Sequence, residues 1–102
     1  MKLATLRNGT RDGALAIVSR DLTLATFARD VVAGLDTLQG LLDEWDTLSP
    51  QVERVSSELN TATERGAPPP FPTFAFEPST AMAPLPRAFQ WADGSAYVNH
   101  VE

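Results

Sequence analysis

Seven of the eight prolines in this 102-residue chain fall between residues 66 and 88, from Pro68-Pro69-Pro70 and Pro72 through Pro78 to Pro84 and Pro86. A proline fixes φ and has no N–H to give, so this stretch is expected to be extended, with little regular hydrogen bonding. Proline-rich segments can be ligands for aromatic grooves. Phe71, Phe74, Phe76, Met82 and Leu85 are interleaved here, however, and a ligand exposed to water has no need of so many large apolar groups. The sequence therefore predicts an ordered connector packed along a neighbouring surface. Two thin helices offer these rings, with Phe89 and Trp91, too little cover, so the tail after Gly66 is expected to pack poorly on its own domain.

Upstream, Lys2-Leu3-Ala4-Thr5-Leu6 and Ala14-Leu15-Ala16-Ile17-Val18 flank Arg7-Asn8-Gly9-Thr10-Arg11-Asp12-Gly13. Asn8-Gly9 and Asp12-Gly13 tolerate positive φ, so the chain can reverse there. Antiparallel strands near residues 2–7 and 14–19 follow, joined by a loop longer than two residues. That loop is no phosphate cradle, because it lacks the Gly-x-x-x-x-Gly-Lys-Ser/Thr pattern and does not lead into a helix.

Residues 23–65 have helical character. Ala28, Val31, Val32, Leu35, Leu38, Leu42 and Trp45 recur at steps of three and four, one apolar stripe along a helix. Thr23 or Thr26 is the expected cap, and Gly34 and Gly40 weaken the middle by roughly 1 kcal/mol each relative to Ala. Ser49-Pro50 reads as a break and restart. Two helices within about 23–46 and 50–65 result, the second carrying Val52, Val55, Leu59 and Ala62. They are read as a helical hairpin whose Leu/Val/Trp stripe is core rather than a partner surface anchored by Trp45. The fold class is α+β: an N-terminal β-hairpin, a two-helix hairpin and an extended Pro-rich C-terminal segment. The units are 1–66, 67–88 and 89–102.

Composition narrows the function. Lys and Arg total 8 against 13 Asp and Glu, a net charge of −5, and one Lys and seven Arg are scattered without a run. Phosphate neutralisation needs clustered cations, so nucleic acid is excluded as a partner. The apolar runs are far shorter than the ~20 residues that span a bilayer, so no membrane is expected. With no cysteine there is no disulfide framework and no thiolate chemistry. One histidine cannot build a His-rich metal site. No signal peptide is read at the start, where Leu3-Ala4-Thr5-Leu6 is cut short by Arg7, and a cytoplasmic location is expected.

The tail Phe89-Gln90-Trp91-Ala92-Asp93-Gly94-Ser95-Ala96-Tyr97-Val98-Asn99-His100-Val101-Glu102 holds a carboxylate beside a glycine and the only histidine. Alone, Asp93 and His100 are a weak signal, since Asp-Gly is common in turns and a lone histidine near a terminus is more often a solvated imidazole than a base. Beside known families they look different. Met1 to Gly13 is similar to the opening hairpin of the fumarylacetoacetate hydrolase family, bacterial branch. Ala83-Pro84-Leu85-Pro86-Arg87-Ala88-Phe89-Gln90-Trp91-Ala92-Asp93-Gly94-Ser95 resembles the same family's approach to its catalytic domain.

That resemblance implies a β-roll catalytic domain following this chain, hydrolysing a carbon–carbon bond between two carbonyl groups with bound Mg²⁺ or Ca²⁺. The family's first metal carboxylate stands seven residues before its catalytic histidine, as Asp93 stands before His100. By resemblance Asp93 is a metal ligand, His100 the base that activates water, and Ser95 and Tyr97 are substrate-binding. A family tyrosine stands two residues after the aspartate, where this chain has Ser95, which leaves the substrate open. The implied substrate is a diketo acid of the acylpyruvate or fumarylacetoacetate type, in aromatic amino-acid catabolism, with a homodimer for the full-length enzyme. The family's Glu-x-Glu pair and a later Asp do not occur in these residues, so the chain is expected to be an N-terminal piece, inactive alone. The alternatives are a non-catalytic binding module, and a decarboxylase or isomerase of the same family.

Overall fold

Alternation of small and branched residues makes the first two strands, and the turn signals between them set their register. The computed structural model describes residues 1–82 and the backbone of 98–100. Strands β1 (Lys2–Leu6) and β2 (Ala14–Val18) pair antiparallel with Lys2 opposite Val18 and Leu6 opposite Ala14, the expected hairpin. β3 (Leu24–Phe27) returns beside β2, with Ile17 opposite Thr26. Four helical residues, α1 (Ala28–Val31), then lead through Gly34 to α2 (Leu38–Asp43) and α3 (Trp45–Arg65). The chain closes with β4 (Phe74–Ala75), a 3₁₀ turn at Pro78–Thr80, β5 (Ala81–Met82) and β6 (Val98–His100).

The architecture is mixed α/β, as predicted. One curled antiparallel sheet has the order β4-β3-β2-β1-β5, and β6 also pairs with β1. Leu3, Leu15 and Ile17 pack against Leu35, Leu41, Val52 and Leu59 from the helices. Ala4, Ala16, Val18 and Ala25 form a second cluster on the alternate strand positions, closed by Phe76 and Ala81. No helix among the described residues is long and apolar enough to cross a membrane.

Two helical expectations are overturned. Residues 24–27 are a strand, so Thr23 and Thr26 cap nothing; Thr26 is fully buried beside Ile17. The cap is Thr37, whose Oγ1 accepts from the Gly40 N–H at 3.0 Å. Gly34, at φ 80°, interrupts what the apolar spacing presented as one helix. The second error is at Pro50. α3 runs unbroken through it, because the helix is already started: the Thr47 and Leu48 N–H groups both donate to the Glu44 carbonyl. Pro50 then deprives only the Asp46 carbonyl of its donor, and both residues are exposed, so that oxygen is left open to solvent and not buried unpaired.

The expectation of a loosely packed tail is also overturned for the rings that the structure describes. Phe76 is buried, and its N–H donates to the Thr23 carbonyl at 2.9 Å. Phe74 lies 4.6 Å from Phe27, ring centre to ring centre, and Phe71 packs against the helical core. The surface that the connector needed is this chain's own sheet. Phe89 and Trp91 lie outside the described residues.

Candidate functional site

The edge of β1 that faces away from β2 takes β5 from within the Pro-rich segment and β6 from the tail. Thr5 pairs with Met82 and Leu6 with Ala81, while Lys2, Leu3 and Ala4 pair with His100, Asn99 and Val98. β5 and β6 thus lie end to end along one strand. Met82 stands opposite Thr5 and Val98 opposite Ala4.

Hydrogen-bond direction along β1 follows from its neighbours. The Leu15 N–H donates to the Asp36 carbonyl at 2.8 Å, away from β1, so Thr5 and Leu15 form a non-hydrogen-bonded pair. Odd-numbered β1 residues therefore turn their N–H and C=O toward β5 and β6. The Arg7 N–H, donating to the Thr80 carbonyl at 3.0 Å, continues the pattern. Leu3 and Asn99 are then the hydrogen-bonded pair, and Lys2 and His100 the close, non-hydrogen-bonded one.

The Lys2 end of β1 is tied down. Its Nζ donates to the Arg20 carbonyl at 2.7 Å, and the Arg20 N–H donates to Asn60 Oδ1 of α3 at 2.7 Å. The Arg20 guanidinium also lies 3.5 Å from Glu64, an exposed pair of small energetic weight. The β2–β3 turn that carries Arg20 is built on Asp21, whose Oδ1 accepts from Ser19 Oγ, Thr23 Oγ1 and the Thr23 N–H. Those donors, the Ser19 hydroxyl first, hold the Asp21 carboxyl below its ordinary value. Sequence reading missed this turn, although the run Ser19-Arg20-Asp21-Leu22-Thr23 carried the signal, an acceptor two residues from each of two hydroxyls.

A cleft of about 410 Å³ opens beside this turn, lined by Met1, Arg20, Glu53, Ser56, Asn60 and Glu64 among others. It is a surface groove with charges of both signs. A second, of about 360 Å³, runs between α3 and Pro68-Pro69-Pro70. Among the described residues no three His, Asp or Glu side chains gather where they could hold a metal ion. Of the residues singled out in the sequence, Asp93, Ser95 and Tyr97 lie outside the described residues. His100 stands in β6, its backbone in register with Lys2.

No curated protein matches the chain. The family described as fumarylacetoacetase N-terminal domain 2 matches residues 1–87, which take in the hairpin, the helices and nearly all of the Pro-rich segment. With most of its length inside that match, this chain belongs to the family of fumarylacetoacetase N-terminal domains.

Proposed function

We propose that this chain is the N-terminal part of a fumarylacetoacetate-hydrolase-like enzyme that cleaves a C–C bond of a 1,3-dicarbonyl acid in aromatic-compound catabolism. The family match over residues 1–87 carries the reading, since it ends where the Asp93–His100 tail begins. In this reading His100 is the base that takes a proton from water, and Ser95 and Tyr97 contact the diketo acid. An imidazole of ordinary pKa about 6.5 suits proton transfer near neutral pH.

The described residues do not fit the divalent ion that the resemblance implies. They gather no cluster of three carboxylate or imidazole groups, and Mg²⁺ takes about six oxygen ligands. Asp93 is one ligand at most, so the reading assigns the remaining ligands to residues outside this chain. The assembled enzyme is proposed to be a cytoplasmic homodimer. The binding-module alternative loses its presented ligand, because Phe74 and Phe76 are used up in the chain's own packing.

The test is turnover of a diketo acid by the full-length enzyme, alongside calorimetric titration with Mg²⁺. Asp93→Ala is expected to weaken metal binding, and His100→Ala to leave metal bound and abolish turnover. Unchanged turnover in His100→Ala, or hydrolysis by the 102-residue chain alone, would refute the assignment.

A further inference from the structure

We propose that the β1–β2 loop carries its own modification site, where Asn8 converts to aspartate and isoaspartate and Thr10 is the donor that speeds the step. Asn8, Gly9 and Thr10 are all exposed at this end of the hairpin. The Asn8 side chain is folded back over the residue that follows it. Its Oδ1 accepts from the Thr10 N–H at 3.0 Å and from the Thr10 hydroxyl. This is an Asx-turn, a hydrogen-bonded ring that runs from Oδ1 through Cγ, Cβ, Cα and C of Asn8, then through Gly9 to the Thr10 nitrogen. Cγ and the Gly9 nitrogen are thus held within one small ring.

In that ring the Gly9 nitrogen is the nucleophile and Cγ the electrophile. The Gly9 N–H has no acceptor among the described residues, and nothing lies within 4 Å of the Gly9 Cβ position, so the nitrogen is open to a solvent base. The base takes the amide proton, the nitrogen attacks Cγ, and the new C–N bond closes a succinimide. The Cγ–Nδ2 bond breaks, and the departing nitrogen takes up a proton and leaves as ammonia. Water then opens the ring, giving aspartate by attack at Cγ and isoaspartate by attack at the main-chain carbonyl. As Cγ becomes tetrahedral, negative charge collects on Oδ1. Both Thr10 donors already address that atom, so their bonds strengthen in the transition state. A third group aims the hydroxyl: Thr10 Oγ1 accepts from the Gly13 N–H at 3.1 Å, which polarises it and leaves its proton directed at Asn8.

The parent chain, Thr10→Val, Thr10→Ala and Thr10→Ser are incubated near neutral pH, and peptide mapping with mass spectrometry follows the loss of Asn8. Circular dichroism confirms that each is folded. Thr10→Val and Thr10→Ala keep the N–H and remove the hydroxyl, and each should slow conversion about tenfold, the worth of one hydrogen bond to a developing charge at an exposed site. Thr10→Ser should keep the parent rate. In concentrated guanidinium chloride the turn is lost, and the rates should converge. Asn60 is the internal control: its Oδ1 also accepts an amide, that of Arg20, but the next residue, Thr61, lies inside α3, so Asn60 should stay intact. An Asn8 that persists in the folded parent overturns the proposal, as do equal rates in the folded parent and the folded Thr10→Val or Thr10→Ala chain. A difference that survives in denaturant also overturns it, because the effect would then belong to the sequence and not to the turn. No turnover enters the measurement, so the hydrolase reading stands or falls separately.

Discussion

Replacing Gly13 by Ala tests the junction at which the hairpin loop, β1 and β5 meet. Gly13 has φ 67°, and a Cβ built there would lie 2.6 Å from Thr5 Cγ2, 2.7 Å from the Leu6 carbonyl oxygen and 2.9 Å from Met82 Sδ. Gly9, in the same loop, has φ 86° but nothing within 4 Å of its Cβ position. Both substitutions force an L-residue into the left-handed region, at a cost of roughly 1–2 kcal/mol. Only Gly13→Ala adds overpacking, typically about 1–3 kcal/mol. The Leu6 oxygen is main chain inside a strand and cannot rotate away, and Thr5 is fully buried, so the upper half of that range applies. Gly13→Ala should then cost about 3–5 kcal/mol, a large part of the roughly 5–15 kcal/mol that stabilises a domain of this size.

The assay is urea unfolding followed by far-UV circular dichroism for both variants, with Thr5→Ser added to Gly13→Ala. Removing Cγ2 takes away the closest of the three contacts, so the double variant should recover part of the loss, a coupling that independent sites would not show. Equal losses for Gly9→Ala and Gly13→Ala would refute the steric argument, because the strained φ is common to both.

Pro50→Ala should stabilise the protein by about 1–3 kcal/mol, since it restores an N–H for the Asp46 carbonyl inside α3 and gives up only a smaller gain in the unfolded chain. A thermal midpoint at or below that of the parent would show that the helix start depends on the ring. Asp21 gives a pH signature. Its folded pKa lies below the ordinary 3.8, so its contribution to stability is present above pH 3.8 and disappears as pH falls through the folded value. The difference in thermal midpoint between the parent and Asp21→Ala should therefore be constant near neutrality and shrink below about pH 4; a constant difference down to pH 2 would contradict the hydrogen-bonded hub.

The hairpin was legible because its signals are local: two glycine dipeptides and two five-residue runs determine it without reference to the rest of the chain. The helical region was legible only in part. Val32, Leu35, Leu38 and Leu41 are buried at a spacing that reads as one helix, yet an extended turn around Gly34 also brings them to one face, and Leu42, counted in the stripe, is exposed. β3 was misread because Leu24 to Phe27 is too short for period two to compete with the longer pattern beside it. The tail rings defeated sequence reasoning for a different reason. Whether Phe76 is buried depends on a surface made by β1, β2 and β3 together, and no local pattern announces that surface. The family likeness was legible in the opening hairpin, and the match to residues 1–87 supports it for the N-terminal domain.

The Pro-rich segment explains the sheet's curvature. β4 lies on one edge and β5 beside the other, four strand spacings apart, or about 19 Å across a flat sheet at about 4.8 Å per spacing. Only the residues from Ala75 to Ala81 connect them, and Pro78–Thr80 are wound into a 3₁₀ turn. Such a turn advances about 2 Å per residue, against about 3.4 Å for a strand, so the connection reaches roughly 15 Å. A flat sheet would be too wide for it. Curling draws the edges together and narrows the concave face, and that face is where Ala4, Ala16 and Ala25 stand in adjacent strands, each almost wholly buried. Leu3, Leu15 and Ile17 occupy the alternate positions, toward the helices, where there is room for larger side chains. Phe76, inside the connection, fills what remains of the concave side. Pro72 and Pro78 thus flank β4 and its short connection, and that connection brings the chain to the β1 edge at Ala81.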